Sequence, residues 1–182
     1  VLFLPKWYPG LVDPQLGDFL RKQALATASL VRMSVLHVEA LKEPAVGERA
    51  ALNTGDGAWE LHVRYRASSI PFTPARKAVN FFRYWRAMRY GWDRSVKERG
   101  LPDLIHAYIL VRPVFFAWWI GNRKRIPYLI SEQSSEYLDG TWTSKSALFH
   151  WLNRFLFKRA KAVTAVSAWL GDRLVELGLC RS

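Results

Sequence analysis

The chain has 182 residues, half of them apolar and 23% charged, which suits one folded domain and excludes an intrinsically disordered segment. Twenty-seven Lys and Arg against 15 Asp and Glu give a formal charge of +12, and the one cysteine, Cys180, excludes a disulfide scaffold and a zinc cluster. Val1–Leu4 is a short apolar run stopped by Pro5 and reads as a buried strand. The opening VLFLPKWYPG lacks a basic leader, a long apolar core and a cleavage site, so it does not read as a signal peptide. Lys6–Asp13 is turn-rich, and residues 15–30 follow as a helix with Phe19, Leu20, Gln23, Ala24 and Ala28 in phase. Met33–Val38 is a second strand, residues 42–58 a loop or hairpin region, and Trp59–Arg66 an alternating, half-exposed third strand.

Segment 76–99 is a helix that Gly100-Leu101-Pro102 ends, with Ala78, Phe81, Trp85, Met88, Trp92 and Val96 as the stripe expected to face the core. Asp103–Tyr108 is a fourth strand, residues 113–122 a short apolar helix and Pro127–Ser131 a fifth strand. Residues 145–160 form an aromatic helix, Ala162–Val166 a sixth strand, and Ala168–Leu177 a last helix stopped by Gly178. Leu104–Gly121 is apolar enough to test as a membrane span, but His106, Arg112 and Pro113 interrupt it, and a central Arg costs several kcal/mol in a bilayer. A soluble protein is expected.

Strand and helix in alternation predict an α/β fold, a doubly wound parallel sheet with helices on both faces. Ligands in such sheets bind beyond the carboxyl ends of the strands, which directs attention to Trp7–Gly17, His106–Tyr108, Glu132–Ser135 and Ser167. The stretch after the first strand has neither a dinucleotide glycine pattern nor a phosphate loop with its lysine, which argues against an NAD enzyme or an ordinary NTPase.

The positive charge is concentrated. Segments 76–99, 123–125 and 145–161 together hold 16 basic and 2 acidic residues, whereas the rest of the chain holds 11 basic and 13 acidic ones. On the long helix, Arg76, Arg83, Arg86, Arg94 and Lys97 fall opposite the apolar stripe, with Tyr90 among them. Such a face is either a solvated back or a docking face for anionic phospholipid headgroups. Nucleic acid ranks lowest as a partner and is not expected, because no recognition motif accompanies the charge.

Four stretches resemble the glycosyltransferase 4-like N-terminal domain. PKWYPGLVDPQLGDFLRKQALA is similar to that family's first strand, loop and helix, PDLIHAY to its fourth-strand motif, PYLISEQSSEY to its threonine-glutamate-histidine loop, and RAKAVTAVSAWLGDRLVELG to its final strand and helix. The resemblance implies the N-terminal, acceptor-side half of a GT-B enzyme, a single Rossmann-like domain over residues 1–182. A retaining, sugar-nucleotide-dependent glycosyltransferase is implied, whose UDP- or GDP-linked donor binds a C-terminal domain that this chain lacks. The implied acceptor is an envelope glycan or a lipid-linked sugar, and the implied place is the cytoplasm, peripherally on the membrane face. No cofactor is expected in this chain.

Within that resemblance His106 is the candidate for chemistry, at a strand end near the cleft; a buried His satisfied by backbone is the alternative. Trp7 and Tyr8 offer flat faces for a sugar ring or simply pack their loop. Gly17 precedes a helix and either admits a ligand close to free backbone N–H groups or makes a helix-entry turn. Glu132 accepts from acceptor hydroxyls or pairs with an Arg such as Arg112. Ser167 contacts ligand or caps a helix. Tyr108 and Gln133 stand where family members often carry His, and a neutral amide cannot take a proton near neutral pH. Arg83, Arg86, Arg94 and Lys97 are the membrane-surface candidates. His37, His62 and His150 have no metal-like spacing, and no metal is expected.

Overall fold

The computed structural model describes residues 1–42, 50–55, 57–108 and 112–181. It is an α/β protein whose chain forms two compact units, Val1–Pro102 and Asp103–Ser182.

The first unit contains β1 (Leu2–Pro5), α1 (Asp18–Ala28), β2 (Ser34–Leu41), β3 (Ala50–Asn53), β4 (Trp59–Arg66) and α2 (Thr73–Arg99). Its strands lie in the order β3-β4-β2-β1. β1, β2 and β4 are parallel, with Leu2 opposite Ser34 and Ser34 opposite Trp59. β3 runs antiparallel to β4, Ala50 facing Val63, and puts a strand inside the stretch expected as a loop or hairpin; the rest of that expectation, residues 43–49 and 56, lies outside the described residues. β4 is more buried than its alternation suggested: Trp59, Glu60, Leu61 and Val63 are all buried, because both of its faces are covered.

The α2 stripe requires correction. The residues α2 buries are Tyr84, Ala87, Met88, Gly91, Trp92 and Ser95, whereas Ala78 and Phe81 are exposed and Trp85 and Val96 half-buried. The docking ridge is made of small residues at i, i+4 and i+8, Ala87, Gly91 and Ser95, which a hydrophobicity pattern does not register. Gly91 shows why: a Cβ there would stand 2.3 Å from Leu36 Cδ1 on β2. The helix approaches its strands so closely that a glycine mid-helix is worth the roughly 1 kcal/mol it costs in propensity. The first turns, Thr73 to Arg83, bury nothing, and Phe72 and Phe82 are exposed there. Of the basic candidates Arg83, Arg86 and Lys97 are exposed, with Arg83 donating to the Arg66 carbonyl at 2.9 Å. Arg94 is only half-exposed and engaged, its Nε 2.7 Å from Glu98 Oε1, so it is not a free surface charge.

The second unit contains β5 (Ile105–Tyr108), α3 (Arg112–Lys124), β6 (Tyr128–Glu132), two single 3-10 turns (Ser135–Tyr137 and Thr141–Ser144), α4 (Ala147–Phe157), β7 (Ala162–Ala165) and α5 (Ala168–Glu176). Its strands are parallel in the order β5-β6-β7. Ser146 and Ser167 cap α4 and α5, accepting from Phe149 N at 3.3 Å and Leu170 N at 3.2 Å. Much of the aromatic supply is spent here: Trp142 is buried with ring centroids 5.0 Å from Tyr137 and 4.7 Å from His150, so the 3-10 turns pack onto α4 through rings. No helix among the described residues is long and apolar enough to cross a membrane.

Candidate functional site

At the carboxyl ends of β5, β6 and β7 the register places Tyr108 beside Ser131 and Ser131 beside Thr164. Side chains two apart on a strand share a face, so His106 joins them behind Tyr108, ring centroids 4.4 Å apart. Ser131 is the hub. Its Oγ lies 2.7 Å from His106 Nε2 and 2.5 Å from Thr164 Oγ1, and it also hydrogen-bonds Tyr108. Burial lowers the His106 pKa from the ordinary 6.5 to about 4 and raises that of Tyr108. At neutral pH the row is therefore uncharged: an imidazole with one donor and one acceptor nitrogen, a phenol and two aliphatic hydroxyls. Such a set hydrogen-bonds sugar hydroxyls and can accept a proton, but offers no counter-charge to a phosphate.

The turn after β6 is organised by Glu132, which is fully buried. Its Oε1 accepts from Gln133 N and Ser134 N, both at 3.0 Å, and its Oε2 accepts from Tyr137 Oη at 3.2 Å. That environment corrects the picture of Glu132 as a carboxylate open to acceptor hydroxyls: it holds the turn, and burial beside it pushes the Tyr137 pKa up. Gln133 is half-exposed on the same turn. Ser167, after β7, is committed to capping α5, and its other face is exposed.

In the first unit the loop between β1 and α1 carries the remaining candidates. Tyr8 is 1% exposed, so its ring is not an open face for a sugar. Its hydroxyl donates to Glu60 Oε1; Arg21 reaches the same carboxylate at 3.0 and 3.2 Å, and Asn53 Nδ2 donates to it at 2.7 Å. Burial first, then the hydrogen bond to Glu60, raises the Tyr8 pKa far above 10. Trp7 is half-buried, with Lys6 Nζ 5.3 Å from its ring centre. Gly17 stands at φ 72°, and a Cβ there would come within 2.6 Å of the Trp7 carbonyl carbon and oxygen. What approaches Gly17 closely is its own loop.

The same loop is pinned at its tip. Glu39 accepts from Leu11 N at 3.2 Å and Val12 N at 3.0 Å, and Asp13 Oδ1 from Gln15 N and Leu16 N. Leu11, Val12, Leu16 and Phe19 remain exposed on it. Beneath, Tyr8, His37 and His62 form a ring cluster with centroids 5.6 to 5.8 Å apart. Burial lowers the pKa of both imidazoles, that of His37 to about 3. Among the described residues no three His, Cys, Asp or Glu stand together in a way that could hold a metal ion.

Residues 17–182 match the sequence model of the glycosyl transferase 4-like domain. The chain belongs to that family. In this glycosyl transferase 4-like domain the match spans nearly all of both units but begins at Gly17, so β1 and the loop with Trp7 and Tyr8 precede it. A comparison with curated proteins returns no significant match. The residues that sequence reasoning missed are Ser131 and Thr164 in the hydroxyl row and Glu60, Arg21 and Glu39 under the loop. A signal for the first pair existed: Ser131 in YLISE and Thr164 in AVTA are the one aliphatic hydroxyl of their strands. For Glu60 the only signal was a carboxylate inside an apolar run, AWELHV.

Proposed function

We propose that this chain is the acceptor-binding domain of a retaining glycosyltransferase that uses a UDP- or GDP-linked sugar and acts on an envelope glycan or lipid-linked acceptor. The observation that carries the reading is the neutral row His106–Ser131–Thr164 with Tyr108, at the strand ends where ligands of such sheets bind. In this reading the row orients the acceptor hydroxyl, with neutral His106 within reach of its proton, and Gln133 and Ser167 bear on the acceptor from their loops. The donor's diphosphate takes its cationic partners from a second, C-terminal domain, since the row supplies none.

In the two-domain enzyme, His106→Ala lowers kcat/KM at least about tenfold, with the melting temperature held. This chain alone has no transferase activity and binds UDP- and GDP-sugars poorly; micromolar binding in calorimetry overturns the division of labour. The same panel of UDP- and GDP-sugars, applied to the two-domain enzyme, identifies the sugar.

A second reading concerns location. The enzyme sits peripherally on an anionic, cytoplasmic membrane face, supported by exposed Arg83, Arg86 and Lys97 on α2 near exposed Phe82. Each cation near such a surface is worth about 1 kcal/mol. Co-sedimentation with anionic vesicles falls steeply with salt and vanishes on neutral vesicles. Equal retention on both, or on neither, would leave the basic face a solvated surface. A membrane- or nucleic-acid-binding module without catalysis is the alternative, which transferase activity in the donor panel rejects.

A further inference from the structure

The second unit has a cavity of about 840 Å³ at the amino ends of β6 and β7, lined by Trp118, Arg125, Tyr128, Phe155, Arg159 and Lys161 among others. Along β6 it lies about 10 Å from the hydroxyl row, since Tyr128 begins that strand and Ser131 stands three residues on. No acidic residue lines it, and none of its three cations has a carboxylate within ion-pair distance among the described residues. Residues 112–131 and 140–171, which supply the whole lining, contain no Asp or Glu.

One of the cations is held by the helix it follows, and a second sits on a fixed backbone turn. Arg159 lies over the Phe155 ring with its Cζ 3.7 Å from the centroid, and Trp118 meets that ring edge-on at 5.1 Å. A guanidinium already stacked in place loses little freedom when it binds an anion. Arg125 is the sole non-glycine residue at positive φ among the described residues, at 57°. It ends α3 in a tight reversal, where Ile126 N donates to Gly121 O at 2.9 Å and β6 starts two residues later. That position belongs to glycine by conformational preference. The Arg125 side chain lines the cavity.

We infer that this cavity is a binding site for a phosphate-bearing group, with Arg125, Arg159 and Lys161 as its cations and Trp118 as the wall for the group's carrier. Three uncompensated cations around one cavity repel each other when it is empty. A multiply charged anion with three or more acceptor oxygens relieves that repulsion, and guanidinium forks match it bidentately. A single carboxylate would leave most of the charge unmet.

The phosphate can come from a soluble ligand or a lipid headgroup, and the test separates them. Calorimetry with inorganic pyrophosphate is run on the chain, alongside co-sedimentation with vesicles containing phosphatidic acid. Arg125→Gly is the informative variant because glycine suits the φ of 57°, so the fold is kept. Lys158→Gln, an exposed neighbour outside the cavity, removes the same charge as a control. Pyrophosphate binding that Arg125→Gly and Lys161→Gln each weaken at least tenfold, with Lys158→Gln within twofold of wild type, supports a soluble ligand. The same pattern on vesicles alone supports a headgroup. No binding to either, or equal losses in all three variants, overturns the site and leaves only diffuse surface charge.

Discussion

Two polar clusters, one in each unit, are built in contrasting ways, although the second unit also seals a carboxylate of its own, Glu132. In the first, Glu60 is buried and carries Tyr8, Arg21 and Asn53 on its two oxygens, so a formal charge is sealed by a cation and two donors. In the second, His106, Ser131, Thr164 and Tyr108 form an uncharged row, and Thr164 stays exposed. A sealed charge fixes a loop; a neutral row with one exposed end, Thr164, can exchange hydrogen bonds there for those of a ligand. Under the proposed function the first cluster serves architecture and the second meets the acceptor, and each prediction below tests that division.

Glu60→Ala has the largest expected effect. It leaves Tyr8 and Asn53 without their acceptor and Arg21 without its counter-charge, at a cost of about 3 kcal/mol in urea unfolding at pH 7. Arg21 is a quarter exposed and recovers some hydration, which keeps the figure at the lower end. A loss under 1 kcal/mol would remove the cluster's structural role. Next, Gly17→Ala places a Cβ against the Trp7 backbone at positive φ and costs about 2 kcal/mol, with the same assay. A neutral outcome would mean that the loop yields, and that Gly17 is free to serve a ligand.

The pH dependence separates the clusters in another way. His37 and His106 have folded pKa values of about 3 and about 4, below the roughly 6.5 of the unfolded chain. As pH falls below 6.5 the unfolded state takes up protons that the folded state refuses, so stability declines from pH 6.5 toward pH 4 and 3 and is insensitive to these groups above 6.5. His37→Leu flattens this decline relative to wild type, and NMR places the His106 ring midpoint near pH 4. A His106 midpoint near 6.5 would mean an imidazole charged through half the population at mildly acidic pH, and would end its reading as a neutral partner.

Ser131→Ala has the smallest expected effect on stability, about 1 kcal/mol. Its larger readout is functional: it releases His106 and Thr164 from their hub, shifts the His106 midpoint and lowers kcat in the two-domain enzyme, while Glu60→Gln leaves that midpoint unchanged. Equal shifts from both variants would erase the distinction between the units.

How much of this was legible depends on what each residue needs from its neighbours. Strand and helix positions follow from apolar periodicity, so Val1–Leu4, Ala162–Val166 and the helix after Ser167 were readable, as were the family motifs around His106 and Glu132. The α2 stripe was misread because its docking ridge is Ala87, Gly91 and Ser95: helix approach selects small side chains, and smallness carries no hydrophobic signal. For Glu132 and Tyr8 a ligand contact and a structural role both stood open, because residue type reports capacity to bond, not which partner already holds the bond. The chain's sequence by itself determined its elements, its charge distribution and its family. Only the tertiary structure decided that Ser131 joins His106 to Thr164, that Glu60 is sealed, and that Arg125, Arg159 and Lys161 share one cavity, because each of those sets gathers residues that strand register or a helix end brings together across tens of positions.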